Sequence, residues 1–398
     1  MIATQKYSHL RPSHLPKLTG KEKLIVKDVK PILRSLPIAK QCQHNTGENG
    51  REKAGCTTCV TYGCSIKGTV RLKDCVYCED HENPAEDAVF SWSDLPIGGD
   101  WIKRVDVWEH FRKMIADERK RIKQTEQPSG NGNGIVIVGG GKYFPAVYCN
   151  VRLLRHMGCK LPVEVWYLGR NNEMPGKWQS ILKPYGVVCV DADKVRERVP
   201  MRILNGWELK FYAIQHSSFR RVLFLDADCY PMREPSFVFD DPRFLGAGAV
   251  FQRDTPNDKY EWIKPDVLEM VGLPRESVWD LESGACLIDK QRWGKALAMT
   301  VWLNSYSDLM YQVVYGDKTT PALASRIMGQ PYAIPRNAPG GGSWGLMQYW
   351  FDGLEMWQHR IHCKPVIQQA HFHSGQNDSR PYKWSSEFDG WLTELKGL

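Results

Sequence analysis

Two aspartates, Asp226 and Asp228, directly follow a run of apolar residues, and only Ala227 separates them. The run Val222–Leu225 predicts a strand that is buried on both faces. Burying one unpaired carboxylate costs free energy, and burying two side by side costs more. Residues two apart on extended chain point the same way, with their Cα atoms about 6.5 Å apart. The pair therefore suits one hard divalent ion that keeps positions open for phosphate oxygens. The alternative is a turn with two solvated acids.

A second pair of the same kind, Asp191 and Asp193, follows the apolar strand predicted at Val187–Val190. The segment after it, KVRERVPMR, is rich in lysine and arginine. These basic side chains would neutralise the two acids in solvent, so the later pair is the favoured metal site.

The composition is that of a folded globular protein, with 398 residues, 42% hydrophobic and 25% charged. This length allows one large domain or two. A net charge of +8 favours an anionic partner such as a nucleotide, a nucleic acid or a phosphorylated sugar. The sequence shows neither a bilayer-spanning apolar run nor a signal-peptide core, which predicts a soluble cytoplasmic protein and is compatible with a phage-encoded one. In that compartment the 12 cysteines favour thiols or metal sites over disulfides.

Six of the cysteines lie between residues 41 and 82, and four of them form two C-x-x-C pairs. This spacing is typical of a zinc ribbon, in which each pair gives two thiolates to a tetrahedral site. An iron–sulfur cluster, free thiols or disulfides are the alternatives. A segment this small cannot build its own core, so the metal would hold it folded. The paired cysteines are Cys56, Cys59, Cys75 and Cys78, and further ligands could come from Cys42, His44, Cys64 and His81.

Composition and patterning divide the chain into four parts. A basic arm spans residues 1–40, the Cys-rich zinc-binding module spans 41–82, a helical connector and linker span 83–133, and an α/β domain spans 134–398. The connector has helical apolar spacing and i,i+4 charges over Trp101–Gln127. The run PSGNGNG that ends at Gly134 is a linker.

Strands and helices alternate after the linker, which predicts an open, mostly parallel sheet flanked by helices. Gly134–Gly141 reads as a strand running into a glycine turn, and the helix Pro145–Met157 follows. Glycines there would let the backbone approach phosphate or base; an ordinary tight turn is the alternative. Further strands are predicted at Val163–Leu168 and Val187–Val190.

The remaining polar residues of interest lie near the ends of predicted elements. Lys210 lies on a helix predicted at Asn205–Ser218, with Asn205 as its N-cap. Phe244–Phe251 is predicted as a sheet segment. Glu282 precedes Ser283-Gly284, Asp317 lies between Gly316 and Lys318, and His371 and His373 follow a strand predicted at Val366–Ala370.

Taken together and in this order, residues 134–384 resemble metal-dependent GT-A-type glycosyltransferases. The likeness is to the retaining families typified by glycogenin and by the fungal Golgi α-mannosyltransferases. The residues that carry it are Lys210, the run Phe219–Pro231 with its D-x-D, Glu282-Ser-Gly284, Gly316-Asp-Lys318, the late histidines beside a glycine, and Lys383.

The resemblance implies a role for each matching position. Asp226 and Asp228 would hold Mn²⁺ or Mg²⁺ on the diphosphate of a UDP- or GDP-sugar, and His373 or His371 would complete the coordination. Neither histidine meets the family's usual H-x-x-G spacing. Lys383 would neutralise the leaving diphosphate. The nucleotide would be lined by Gly139, Gly140, Gly141 and Tyr143, with Lys210 and Ala227 beside it, and Glu282 and Asp317 would face the transferring sugar or the acceptor.

The resemblance also implies retention of configuration through attack on the face that the leaving phosphate vacates. For the acceptor, basic charge and a zinc ribbon favour DNA, whose hydroxyl would come from a hydroxymethylated pyrimidine base. A polysaccharide or a protein is the alternative acceptor. A non-catalytic zinc-ribbon binding protein is the second alternative. A sugar-phosphate nucleotidyltransferase is less favoured, because the chain does not open with a basic glycine-rich loop.

Overall fold

The computed structural model describes residues 105–398 except 129, 170–172, 205, 256–261, 343–344, 363, 369–370 and 374–382. The basic arm, the Cys-rich module with its eight candidate zinc ligands and most of the connector lie outside the described residues. The zinc site and the four-part division of the chain therefore stay predictions.

Twelve strands are described, and they group into three sheets. They are β1 Asn133–Val138, β2 Val163–Tyr167, β3 Val187–Asp191, β4 Arg221–Asp226, β5 Cys229–Pro231, β6 Ala249–Arg253, β7 Leu281–Asp289, β8 Gly340–Gly342, β9 Gly345–Tyr349, β10 Glu355–His359, β11 Val366–Gln368 and β12 His371–His373.

The described helices are α1 Val105–Gln124, α2 Phe144–His156, α3 Gly176–Leu182, α4 Ala192–Arg196, α5 Leu209–His216, α6 Pro242–Ala247, α7 Pro265–Met270, α8 Lys290–Asn304, α9 Ser307–Met310, α10 Thr320–Met328 and α11 Ser385–Gly397. Single 3₁₀ turns lie at Gly141–Tyr143, Lys183–Tyr185 and Ser236–Asp240.

The main sheet has six strands in the order β3-β2-β1-β4-β7-β6. The first four are parallel to one another, and β7 is antiparallel to both β4 and β6. A second, antiparallel sheet has the order β5-β10-β9-β8, and β11 pairs with β12. The prediction of an α/β protein with a mostly parallel sheet is confirmed.

The central strands are buried on both faces, as their continuous apolar runs predict. Ile135 and Ile137 of β1 and Leu223 and Leu225 of β4 belong to one core cluster with the buried residues of α2. The alternate residue Phe224 is also buried but points to the other face, because side chains alternate along a strand. Helices α5 and α8 pack there, with α5 on β1 and β4 and α8 on β7.

One segment that was predicted as strand is a helix followed by a strand. Pro242–Ala247 is helical, and β6 begins at Ala249 instead of at Phe244. Asp241 caps the helix by accepting from the Arg243 backbone N–H at 2.9 Å, and Gly248 ends it at φ 81°. These local signals determined the helix despite the apolar run. The helix predicted at Asn205–Ser218 begins at Leu209, and its proposed cap Asn205 lies outside the described residues.

The chain divides into two compact units. One contains residues 195–205 and 305–316 with the beginning of α1, and inside it Arg202 donates to Asp308 at 2.5 Å while Phe111 packs edge-on against Tyr306. The other contains residues 114–194, 206–304 and 317–398. It holds the main sheet and every residue of the candidate site.

His216 at the end of α5 is expected to make the fold sensitive to acid. Burial, with a smaller effect of the Lys290 charge, lowers the pKa of His216 to about 4. Because an unfolded histidine has a pKa of about 6.5, unfolded chains bind the proton first as pH falls below that value. Stability is therefore lost between about pH 6.5 and 4, by about 2 kcal/mol at pH 5.

Urea denaturation at pH 7 and pH 5 checks this, with His216→Gln compared to the parent chain. The variant should lose about 2 kcal/mol less on acidification. His156→Gln, which changes an exposed histidine on α2, is the matched control and should behave like the parent. Equal pH dependence in the parent and His216→Gln would contradict the prediction.

Candidate functional site

The glycine turn and the D-x-D lie side by side because the strands that precede them are parallel neighbours. Val138 of β1 pairs with Asp226 of β4. The two following residues are therefore adjacent, and a Cβ on Gly139 would lie 3.2 Å from the Cβ of Ala227 and 2.7 Å from a methyl of Val147. Since the carboxyl ends of parallel strands meet at one edge, the sheet brings both predicted motifs together.

A histidine from the second sheet completes the cluster. Strand pairing sets His359, the last residue of β10, opposite Cys229 of β5, and the Arg360 N–H donates to the carbonyl of Asp228 at 2.9 Å. His359 Nε2 consequently lies 3.7 Å from Asp226 Oδ2 and 3.4 Å from Asp228 Oδ1. One ligand atom from each of the three residues lies within 4.8 Å of the others.

The donor set of this cluster fits a divalent metal ion. Two carboxylates and one imidazole are ligands that Mn²⁺ accepts, and carboxylates also suit Mg²⁺. Burial, the largest influence, keeps the pKa of Asp226 above its ordinary value even beside Lys210. Burial acts the same way on Asp228, but Lys364 and His359 outweigh it and lower the pKa of that carboxyl. The two acids therefore need cations to be charged together.

Lys210 supplies one of those cations. Its Nζ lies 2.8 Å from Asp226 Oδ2 and 3.6 Å from Asp317 Oδ2, and it donates to Ser283 Oγ at 3.1 Å. Burial opposes its charge, but the nearby carboxylates prevail and raise the pKa of Lys210. The helix residue predicted to reach sugar or phosphate thus contacts the D-x-D directly.

Glu282 holds the other nitrogen of His359. His359 Nδ1 lies 3.1 Å from Glu282 Oε1, while Gln348 donates to Glu282 Oε2 at 2.6 Å and the Gly284 N–H donates to Oε1 at 2.9 Å. A carboxylate on the second nitrogen is the usual way in which a ligating histidine is oriented. A Cβ on Gly284 would lie 2.4 Å from Nδ1, so the E-S-G motif leaves room for the imidazole.

The contact between His359 and Glu282 shifts the pKa values of both groups. Burial lowers the pKa of His359, but Glu282 and Asp228 outweigh it and raise it to about 10. Burial raises the pKa of Glu282, but His359 and Lys210 outweigh it and lower it to about 2. Glu282 therefore stays ionised at neutral pH, which suits a residue that orients a partner or stabilises charge rather than one that donates a proton.

Lys364 connects the D-x-D to the glycine turn. Its Nζ lies 2.6 Å from Asp228 Oδ2 and 5.4 Å from the centre of the Tyr143 ring. The turn itself is tightly packed: Gly141 has φ 53° and donates to the Glu173 carbonyl at 2.6 Å, and a Cβ on Gly140 would lie 2.8 Å from that carbonyl oxygen. Only glycines fit this path next to the acids.

Lys318 of the Gly316-Asp-Lys318 motif lies in a buried ion cluster. Its ammonium contacts Asp254, which follows β6, and lies 3.2 Å from Asp280, which precedes β7. The Thr319 hydroxyl donates to Asp280 at 3.1 Å. These contacts tie the loop that carries Asp317 to the ends of two strands, so the motif fixes the position of Asp317 beside Lys210.

Asn150 of α2 fixes the loop between the two aspartates and β5. Its side-chain amide, which is fully buried, donates to the carbonyls of Asp226 at 3.3 Å and Cys229 at 2.9 Å. Removing these bonds would leave buried carbonyls unpaired. The helix after the glycine turn therefore positions the D-x-D as well as the turn.

Several predicted residues lie elsewhere. Asp191 Oδ1 accepts from the Asp193 backbone N–H at 3.0 Å and so caps α4 instead of joining the metal-ligand cluster. Lys383, predicted to neutralise the diphosphate, donates to the carbonyl of Met232 at 2.6 Å, and Lys364 is the lysine that contacts the D-x-D. Strand β12 carries His371 and His373, whose side chains lie outside the described residues; its partner β11 packs against the turn Gly141–Tyr143.

Sequence reasoning missed His359, Lys364, Gln348 and Asn150. His359 had only a partial signal, since it ends a segment whose apolar residues are Met356 and Trp357, whereas the aspartates follow four apolar residues in a row. Gln348 and Lys364 carry no local signal, because Gln348 reaches the site through the pairing of β9 with β10 and Lys364 lies in the segment that follows β10.

A mostly parallel sheet with paired acids at its carboxyl edge defines an α/β protein whose ligand site is expected at that edge. A mannosyltransferase family model matches residues 132–280 and 274–342, which is more than half of the chain. The chain belongs to this mannosyltransferase family. The prediction of a glycosyltransferase is thereby confirmed.

The curated relatives are fungal. The chain is 30% identical over 146 residues to the alpha-1,2-mannosyltransferase MNN2 of Saccharomyces cerevisiae, which covers 36% of this chain and 24% of that protein. It is 24% identical over 294 residues to the alpha-1,2-mannosyltransferase MNN5 of Saccharomyces cerevisiae, covering 60% of this chain and 50% of that protein. The chain thus spans half or less of the length of these relatives.

Solved structures that resemble the chain are distant in sequence. The galactosyltransferase LgtC in complex with donor and acceptor sugar analogs is 10% identical with a TM-score of 0.41, over 66% of this chain and 96% of that one. The Mn/GDP form of core-mannan synthase A from Aspergillus fumigatus is 7% identical with a TM-score of 0.35, over 53% and 75%. Likeness at this level does not define a ligand or a substrate.

The prediction of a cytoplasmic, phage-like protein is wrong, because the relatives are fungal Golgi α-mannosyltransferases. In the described part of the chain, no helix combines the length and apolar character that crossing a bilayer needs. None of these relatives supports the DNA acceptor, which the charge and the cysteine pattern had favoured. Charge at +8 is equally compatible with an anionic nucleotide sugar.

Proposed function

We propose that this chain transfers a mannosyl unit from a nucleoside-diphosphate mannose to the 2-hydroxyl of an acceptor sugar, forming an α-1,2 linkage. Family membership supports the mannosyl donor, and the names of the relatives support the linkage. The observation that carries the proposal is the convergence of Asp226, Asp228 and His359 beside the glycine turn. The fold would be of the GT-A type.

Asp226, Asp228 and His359 would hold Mn²⁺ or Mg²⁺, which when bound stabilises the negative charge of a departing diphosphate. The local charge supports this. Binding of the ion would displace the proton that His359 otherwise holds. With His359 neutral, four carboxylates face two lysines, and the excess of two negative charges matches one divalent ion. The residues counted are Asp226, Asp228, Glu282 and Asp317 against Lys210 and Lys364.

The chain's own residues would do the rest of the work. Lys364 lies between Asp228 and Tyr143, where it would bind a diphosphate oxygen, and so takes the role that the resemblance gave to Lys383. Lys210 and Asp317 would orient the transferring sugar beside Asp226. Glu282 keeps His359 Nε2 directed at the aspartates. These contacts would accelerate the reaction because they stabilise the negative charge of the departing diphosphate more in the transition state than in the ground state.

Retention of configuration is part of the proposal. Lys210 and Lys364 pair with the D-x-D, where the leaving group would lie, and Glu282 pairs with His359. These four side chains are therefore engaged with the leaving-group site or with each other, and are not directed at the acceptor hydroxyl as a base. This arrangement suits attack on the face that the leaving phosphate vacates, with that phosphate taking the acceptor's proton.

A donor and acceptor screen tests the proposal. The full chain with Mn²⁺ is given GDP-mannose, UDP-glucose or UDP-galactose as the donor. Each donor is tested alone, with α-mannobiose and with hydroxymethylated duplex DNA, and the released nucleoside diphosphate is measured. Release should be fastest with the mannose donor and α-mannobiose, and an α-1,2-specific mannosidase should remove the added sugar. Transfer to the DNA alone, or no release from a mannose donor, would contradict it.

A further inference from the structure

Two half-exposed tryptophans form one wall of a groove at the ends of β6 and β7. Trp262 and Trp279 face each other across an isolated antiparallel bridge, with ring centres 5.8 Å apart at 39°. They are 42% and 37% exposed. The groove has a volume of about 460 Å³, which is in the range of small-molecule sites. Two adjacent tryptophan rings that are exposed to this extent indicate a binding surface.

The indole wall is held rigid, and the basic groups near it are occupied. The Arg253 guanidinium lies 4.0 Å from the centre of the Trp279 ring, a cation–π contact that fixes the ring. Arg326, which also lines the groove, pairs with Glu276 at 2.7 Å. Glu276 therefore offsets the charge of Arg326, and Arg253 contacts the indole face and donates to the Arg336 carbonyl at 3.3 Å.

The chemistry of the lining suits a neutral sugar chain. A pyranose ring presents a face of C–H groups that stacks on an indole, while its hydroxyls need polar partners at the edge. Val278, Pro331 and Ile334 give apolar walls, and Ser277 and Tyr332 place hydroxyl groups among them.

The groove also lies next to the candidate active site along the chain. Trp279 is three residues before Glu282 on extended chain, so their Cα atoms are at most about 10 Å apart. Arg253 follows Gln252, which pairs with Glu282 across β6 and β7. A short oligosaccharide can span this distance.

We infer that the Trp262–Trp279 groove binds the acceptor oligosaccharide, at sugars beyond the one whose hydroxyl is mannosylated. The identity of the sugar as mannose rests on the proposed function, whereas the binding of a neutral glycan rests on the groove itself. The two tryptophans would then determine acceptor affinity and not the chemistry at the D-x-D.

Calorimetric titration of the full chain with α-mannotriose, without donor or metal, tests the inference. Trp262→Ala and Trp279→Ala should each weaken binding at least tenfold and raise the KM for α-mannotriose, with the KM for the donor and the slow hydrolysis of donor by water unchanged. Trp207→Ala, which removes another exposed tryptophan at 38%, is the matched control and should bind like the parent.

Binding of α-mannotriose that neither groove variant weakens would overturn the inference, and so would no binding by the parent chain. Binding of maltotriose that is equally tight and equally dependent on the two tryptophans would support the glycan groove and contradict only mannose as its sugar. Failure of the proposed function is distinguishable from these outcomes. In that case the parent chain would bind α-mannotriose through the tryptophans but release no diphosphate from a mannose donor.

Discussion

Asp226→Asn and Asp228→Asn should each lower mannosyl transfer on the order of 1,000-fold, at saturating donor and Mn²⁺. Asparagine keeps the volume of the side chain but removes the negative charge that a divalent ion requires. It also leaves Lys210, 2.8 Å from Asp226, or Lys364, 2.6 Å from Asp228, without its closest counter-charge. The measurement is the initial rate of product formation, with circular dichroism to show that the fold is kept.

The chain contains its own control for this prediction. Asp191→Asn and Asp193→Asn change the other D-x-D, whose first acid caps α4 at 3.0 Å. Asparagine keeps that cap through its own Oδ1, so both variants should stay within about 0.5 kcal/mol of the parent in stability and within about threefold in transfer rate. Full activity in the Asp226→Asn/Asp228→Asn double variant, or a loss confined to the Asp191 pair, would contradict the site assignment.

His359→Ala should weaken Mn²⁺ binding at least about 100-fold, because it removes one of three protein ligands. Its Nε2 lies 3.7 Å and 3.4 Å from the two aspartates, and no other described histidine lies in the cluster. The free Mn²⁺ signal in electron paramagnetic resonance gives the affinity directly, without any need for turnover. Raising Mn²⁺ should restore part of the transfer rate, which a misfolded variant would not show.

His362→Ala is the matched control, because His362 is exposed and only three residues away. It should bind Mn²⁺ like the parent. The resemblance gave the ligand role to His371 or His373, so the same titration on those two alanine variants decides between the alternatives. If His373→Ala or His371→Ala loses Mn²⁺ and His359→Ala does not, the cluster seen here is not the metal site.

Local signals in the sequence were enough for most of the sheet. The run at Val222–Leu225 had no polar residue and Val163–Leu168 had only Glu164, and strands lie there because burial on both faces needs such apolar runs. The same rule failed at Phe244–Phe251, where a capping aspartate, a proline and a glycine outweighed the apolar run. Apolar patterning indicates burial, but caps and turns determine the type of element.

Residue types and spacing already singled out Asp226 and Asp228, the glycine turn and Lys210, because each lies at the end of a strand or on a helix next to one. Tertiary structure alone decided which histidine and which lysine join them. His359 and Lys364 reach Asp228 through β10, which pairs with β5 across more than 120 residues of chain, and no local pattern encodes that pairing. Strand ends are local properties, whereas the meeting of two sheets depends on the packing of the whole core.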